Sequence, residues 1–142
     1  MKQQTYANHS RLVFGFHGIL FLMMLAFLIG SIMNLISCTK ENLYAASLLV
    51  LLAIILLLLS FYLRAFALKA QDKAIKAEES LRYFVLTGKA LPSNVKVRQI
   101  IGLRFASDEE FVSLVDRAVK ENLSEKEIKK SIKNWRADNY RV

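Results

Sequence analysis

The sequence predicts an all-α membrane protein, in which a transmembrane helical hairpin is followed by a helical stalk and a small cytoplasmic helical domain. Three observations predict it. Two long stretches without a formal charge lie in the first half of the chain, an amphipathic helical pattern follows them, and the rest carries helix-capping signals. An α-helix rises ~1.5 Å per residue and the hydrocarbon core is roughly 30 Å thick, so about 20 apolar residues cross it.

The uncharged stretches, residues 12–39 and 42–63, are separated only by Lys40 and Glu41. Each is long enough to span a bilayer, and a helix satisfies its own backbone N–H and C=O groups where no water is present. The predicted organisation is a cytoplasmic N-terminal segment at 1–11, a hairpin at 12–63 with spans at about 12–36 and 43–63, and a stalk and helical domain at 64–142.

The basic residues predict the orientation of the hairpin. The net charge is +8, Lys2 and Arg11 precede the first span without an acid, and residues 64–142 hold 17 basic against 11 acidic residues. Lys and Arg near span ends stay on the cytoplasmic side, so both termini are expected there. The same surplus would attract an anionic leaflet, which makes membrane lipids an expected partner.

Cys38 raises one alternative for the first span. Residues 35–38 loosely match the small-residue-then-cysteine cleavage site of a bacterial lipoprotein, which would make residues 1–37 a signal peptide. The apolar core of a signal peptide is typically 7 to 15 residues, and the run here is far longer and is followed by a second span. We therefore expect Cys38 to be a lone thiol at the outer interface, without an intrachain disulfide.

The first span is richer in small and polar residues than the second, with Gly30, Ser31, Asn34 and His17. Small residues let helices approach closely in lipid. These positions are therefore candidate helix contacts, either within the hairpin or with a neighbouring protein. His17 lies ~9 Å beyond Arg11 at helical rise, near the headgroup boundary, and is expected to act as an interfacial anchor or a helix-to-helix hydrogen-bonding group.

The second span is predicted to continue out of the membrane as the stalk. Apolar residues recur every three or four positions from Phe66 to Val85, with charged residues between them. Gly88 is expected to end the helix in a left-handed conformation, and Pro92 prevents its continuation.

Three shorter helices are expected after the stalk, each with a serine at its start. Ser93 is the predicted cap of the first, and capping boxes at residues 107–110 and 124–127 begin the other two. The last helix is predicted to carry an outer basic face that meets lipid phosphates or an acidic partner, formed by Lys126, Lys129, Lys130, Lys133 and Arg136. Nucleic acid is not an expected partner, because no fold signature accompanies this charge.

Taken together, these segments resemble an uncharacterised bacterial family of small two-span membrane proteins. The resemblance covers nearly the whole chain and lies in residues 4–11 with Phe16-His17, 64–73, 78–82, 86–89, 103–110 and 132–135. It implies the same architecture in a bacterial inner membrane, with no established activity, cofactor or catalytic residue. The label of transporter permease that such proteins sometimes carry has no coupling motif to support it here. The resemblance also brings His9, Arg11 and His17 together near one membrane face.

The sequence carries no catalytic, metal or nucleotide signature, so an enzyme is not expected and no cofactor or metal site is predicted. We expect a non-catalytic accessory or scaffold subunit, docked on a larger membrane complex through its hairpin. The alternative is a self-assembling small transporter or channel, in which polar residues of the first span line a pore. The expected protein partner is accordingly a membrane protein or further copies of the same chain.

Overall fold

The protein is all-helical. The computed structural model describes residues 4–6 and 13–138. Its elements are a π-helical segment Gly15–Leu20, α1 Phe21–Ser37, a 3-10 turn Lys40–Asn42, α2 Leu43–Thr87, α3 Val97–Leu103, α4 Asp108–Lys120 and α5 Glu125–Ser131. Within the described part, extended pairing is limited to an isolated antiparallel bridge between Ala106 and Trp135.

The chain divides into two compact units. We call residues 13–67 the apolar unit, and residues 68–138 together with 4–6 the helical domain. Helix α2 contributes to both, and the division falls within it, after Ala67.

The apolar unit contains the first candidate membrane span and the apolar half of the second. By length and composition alone, the continuous helical stretches Gly15–Ser37 and Lys40–Thr87 are long and apolar enough to cross a membrane. The first stretch is not α-helical throughout, because its opening segment is wound as a π-helix. That segment contains Gly15 and Gly18, whose low helix propensity weakens the α-helical alternative there.

Helix α2 runs for 45 residues and ends where the sequence predicts. Gly88 follows the helix with φ of +70°, and its N–H donates to the carbonyl of Phe84 at 2.7 Å. This is the single-bond left-handed cap, in which a residue without a Cβ turns the chain out of the helix. The prediction for Gly88 is confirmed.

The core of the helical domain is built from α2, the three short helices and the loops that join them. Phe105, Phe111, Ile100, Leu103, Ile128 and Val115 are its largest fully buried side chains. Helix α4 supplies the apolar face that the sequence predicts, since Phe111, Leu114, Val115 and Ala118 are buried. Helix α2 joins this core through Ile75 and Tyr83.

Helix α3 begins later than predicted. Ser93 lies in a turn, and the helix starts at Val97 with Lys96 as its N-cap. The buried Gln99 accounts for the shift, because its side-chain oxygen accepts from the Lys96 N–H at 2.9 Å. Its amide also donates to the carbonyls of Ala118 and Leu123, at 2.9 and 3.0 Å. A single buried amide therefore begins α3 and satisfies carbonyls at the end of α4.

The two predicted capping boxes have different outcomes. At α5 the box forms, with the Ser124 N–H donating to Glu127 at 2.8 Å and the Glu127 N–H donating to the Ser124 hydroxyl at 3.3 Å. At α4 the N-cap is Ser107 as predicted, but its hydroxyl makes no capping bond. The box fails because the Glu110 carboxylate accepts instead from the backbone N–H groups of residues 133 and 134, at 3.2 and 3.0 Å.

The chain after α5 is extended rather than helical. The predicted last helix includes residues 132–136, but α5 ends at Ser131. The Arg136 N–H donates to the Phe105 carbonyl at 2.8 Å, and the Asn134 carbonyl accepts from the Ser107 N–H at 3.1 Å. These bonds to the segment before α4 compete with helical bonds along residues 132–136, and they stop the helix.

Candidate functional site

The structure does not bring the polar residues of the first candidate span together in one site. His17 is exposed, its Nδ1 lies 3.1 Å from the Val13 carbonyl oxygen, and its ring meets Phe16 edge-on at 5.2 Å. His9 and Arg11 lie outside the described residues, so a role shared by the three remains a prediction. The described contacts of His17 are local to its own turn.

Ser31 and Asn34 differ in exposure although they are one turn apart. Ser31 is 4 % exposed, and its hydroxyl donates to the Leu28 carbonyl at 2.8 Å. Asn34 is exposed. Gly30 is exposed as well, and a Cβ added there would meet no atom within 4 Å. Ser31 therefore takes an inner position, while Gly30 and Asn34 leave open surface on α1.

Inner positions recur regularly along both helices of the apolar unit. On α1 they fall at residues 24, 28, 31 and 35, and on α2 at residues 46, 50, 53 and 57. Ala46 and Ala53 are each 1 % exposed. Spacings of four and three residues are those of helices that pack side by side along a narrow seam. This pattern supports packing within the unit for Ser31, one of the two interpretations that the sequence leaves open.

The five residues of the predicted basic face do not form one continuous surface. Lys129 is 8 % exposed, with Nζ 2.6 Å from the Glu125 carboxylate and 5.3 Å from the centre of the Phe105 ring. Lys133 and Arg136 lie beyond the end of α5, so helical periodicity does not align them with Lys126 and Lys130. Lys129 is thus a packing residue, and the prediction that it faces outward is wrong. The other four basic residues are exposed.

A shallow cleft lies beside the start of α5. It has a volume of about 240 Å³ and is lined by Tyr6, Glu125, Lys126 and Lys129. Lys130 Nζ lies 6.0 Å from the centre of the Tyr6 ring. The N-terminal segment thus reaches this basic part of the helical domain.

Arg82 bonds to three other residues but was not a candidate from the sequence. Its guanidinium donates to Asp108 at 2.6 Å, to Glu79 at 3.0 Å and to the Ala106 carbonyl at 2.7 Å. It also lies over the Phe111 ring, 4.2 Å from the centroid. Arg82 therefore fastens α2 to the start of α4. Glu79 lies one turn away on the same helix, but Ala106 and Asp108 are remote in sequence, so helical spacing gave no signal for these two contacts.

Arg104 is a further buried charge with structural partners. Arg104 pairs with Asp138 at 3.2 Å and lies over the Phe105 ring at 4.6 Å. Across residues 4–6 and 13–138, no three His, Cys, Asp or Glu side chains gather closely enough to hold a metal ion. The contacts of these charged groups hold helices together.

Comparison with known proteins places the chain in a family. No curated protein and no solved structure is significantly similar to it. The model of one family matches residues 1–142, the whole of the chain. This agrees with the resemblance to an uncharacterised family that the sequence motifs carry. The protein belongs to DUF6526, a family of unknown function.

Proposed function

We propose that the protein is a non-catalytic accessory or scaffold subunit of a larger complex in the bacterial inner membrane. In this proposal residues 12–63 form a transmembrane hairpin and the helical domain is cytoplasmic. The observation that carries it is the exposure of the apolar unit. Only 6 % and 11 % of the residues in the most apolar windows of the two candidate spans are buried. An apolar surface of this extent needs lipid or other protein around it.

Two observations support a common, cytoplasmic side for both termini. All basic residues except Lys40 lie at positions 1–11 or 64–142, on either side of the proposed hairpin, as the orientation rule requires. In addition, Gln4 and Asp138 bond reciprocally within the helical domain. The Asp138 N–H donates to the Gln4 side-chain oxygen at 2.9 Å, and the Gln4 amide donates to the Asp138 carbonyl at 3.3 Å. A chain that crosses the membrane twice can place these two residues on one side.

Two features favour the accessory role: charged side chains of the helical domain are engaged in internal contacts, and α1 has open surface at Gly30. The Arg82 guanidinium, the Glu110 carboxylate and the Lys129 ammonium are occupied in contacts between elements. On α1, the open position at Gly30 offers a backbone surface that another helix can approach closely. This combination favours binding over catalysis.

Replacing Gly30 with leucine tests the accessory role. Gly30→Leu fills the open surface, and leucine is at least as favourable in a bilayer as glycine, so insertion should be retained. We expect companion proteins recovered with the wild type in mild detergent to be lost from Gly30→Leu. Ile29→Leu, a change at the neighbouring exposed residue, is the matched control and should retain them.

The same preparations separate the accessory role from a transporter or channel. Purified wild type and Gly30→Leu are reconstituted in proteoliposomes and assayed for ion flux. Robust flux from the protein alone, together with no companion recovered from native membranes, would overturn the accessory role in favour of a self-assembling pore.

A further inference from the structure

One face of α2 within the helical domain is apolar, and none of the described elements covers it. We call it the α2 stripe, formed by Ala70, Ala74, Ala77, Leu81 and Phe84. All five residues are exposed, and the two large side chains, Leu81 and Phe84, are 64 % and 54 % exposed. Neighbouring Val85 is exposed too. The stripe is thus a continuous apolar surface about four helical turns long.

The helical domain packs on the other side of α2. Ile75, Glu79 and Tyr83 are the buried residues of this part of the helix. At 100° per residue, Ile75 and Glu79 each lie about 160° around the helix from Ala77. The rest of the domain therefore covers one side of α2 and leaves the α2 stripe exposed. Packing within the domain does not account for apolar residues on this opposite side.

The spacing of the α2 stripe is that of a coiled coil. Its members follow one another at intervals of four, three, four and three residues. This period of 3.5 places them at the a and d positions of a heptad repeat, with Ala74 and Leu81 at a and the other three at d. Alanine at the central positions permits a close approach between two helices. The period fits a partner helix that runs alongside α2.

The charged residues beside the α2 stripe indicate which helix is a suitable partner. In the same register Lys73 is at position g and Glu78 is at the following position e, and both are exposed. In a parallel pair of identical helices, each g residue faces the e residue five positions later on the other helix. Lys73 of each copy then meets Glu78 of the other, which gives two opposite-charge pairs.

We propose that the α2 stripe binds the α2 stripe of a second copy of this chain, in a parallel two-stranded coiled coil. An antiparallel pair would not bring Lys73 and Glu78 of the two copies together, so the charges select the parallel arrangement. The inference rests on residues 70–84 alone and does not require the proposed membrane role. Two chains anchored in one membrane would also run parallel.

Cysteine cross-linking in the full-length protein tests the contact. In a Cys38→Ser background, Ala77→Cys places a thiol at a d position, where it faces the same thiol of the second copy. We expect oxidation in native membranes to give a disulfide-linked dimer with Ala77→Cys. Lys76→Cys, an exposed neighbour about 100° away around the helix, is the matched control and should stay monomeric.

Charge reversal tests the partner and its direction. Lys73→Glu or Glu78→Lys alone replaces two attractive pairs with two repulsive ones, and we expect dimer dissociation to be favoured about tenfold. The double reversal Lys73→Glu with Glu78→Lys restores both pairs and should restore dimerisation. Circular dichroism melting of the single variants controls for folding, because both side chains are exposed.

Three results would overturn the proposal. The first is a monomer by native mass spectrometry in both mild detergent and lipid nanodiscs. The second is equal cross-linking at positions 76 and 77. The third is a double reversal that dissociates as readily as the single variants. A lipid surface or a different protein covering the stripe would give the first of these results.

Discussion

Gly88 ends α2 through its backbone conformation rather than through lack of space. Its φ is +70°, and a Cβ added there would meet no atom within 4 Å. Gly88→Val should therefore lower the free energy of unfolding by at least about 1 kcal/mol, because a β-branched residue is strained at positive φ. Chemical denaturation measures this. Gly88→Asn is the control and should lose less, since asparagine tolerates the left-handed region. Equal stability of the Val variant and the wild type would contradict the cap.

Glu127 makes a pH-dependent contribution to the stability of the fold, at the start of α5. The backbone N–H of Ser124, followed by its hydroxyl, donates to the Glu127 carboxylate and lowers the pKa of this group. A carboxyl whose pKa is lower in the folded state stabilises the fold above its ordinary pKa. That contribution is lost as the pH falls through the lowered folded pKa.

The serine hydroxyl accounts for only part of this shift, which can be measured. We expect an NMR titration of Glu127 to give a midpoint below the ordinary glutamate value. Ser124→Ala should raise the pKa partway, because the backbone donor remains in place. A Glu127 pKa that is the same in Ser124→Ala and the wild type would assign the shift to the backbone donor alone.

At the scale of elements, Arg82 joins α2 to the start of α4. Arg82→Met should lower the free energy of unfolding by about 3 kcal/mol, since it leaves the buried Glu79 carboxylate without its cation. Arg98→Met is the control, because the side chain of Arg98 is exposed and its contact with Glu125 is long, at 3.5 Å. That change should cost less than about 0.5 kcal/mol. Both values come from denaturant titrations.

A double variant separates the charge pair from the packing. Arg82→Met with Glu79→Met removes the unpaired carboxylate, so it should recover part of the lost stability. If the double variant is less stable than Arg82→Met alone, the buried charge is not the source of the loss.

Elements specified by local chemistry were predictable from the sequence. The end of α2 depends on Gly88, and the start of α5 depends on Ser124 and Glu127, which lie three residues apart. The predictions that failed did so because contacts with residues distant in sequence replaced or added to the local ones. The Glu110 carboxylate bonds to backbone groups 23 and 24 residues away instead of capping α4. Lys129 is buried because its ammonium group lies between Glu125 and the Phe105 ring. The helical periodicity of the sequence does not predict the contact with Phe105.

The candidate site was less predictable than the fold. The sequence identifies the small and polar residues of α1, but their exposure depends on which side of the helix finds a neighbour. Ser31 is buried and Gly30 beside it is open. The Arg82 cluster was not predicted because two of its partners, Ala106 and Asp108, lie outside α2.

At the scale of the whole molecule, topology can be tested with the single native cysteine. If both termini are cytoplasmic, Cys38 should react with a membrane-impermeant maleimide added outside intact spheroplasts. In a Cys38→Ser background, Lys89→Cys is the matched control and should react only after the inner membrane is opened. Labelling of Cys38 only after opening the membrane would reverse the orientation.

The reciprocal bonds between Gln4 and Asp138 have a consequence for biosynthesis. They join residues 134 positions apart, so they can form only after the ribosome has synthesised Asp138. The apolar segments emerge well before Asp138 and, in the proposed topology, reach the insertion machinery while the helical domain is still incomplete. Gln4 is therefore synthesised long before its partner Asp138. In the proposed topology, these bonds can therefore form only after both apolar segments have been synthesised and with Gln4 and Asp138 on the same side of the membrane.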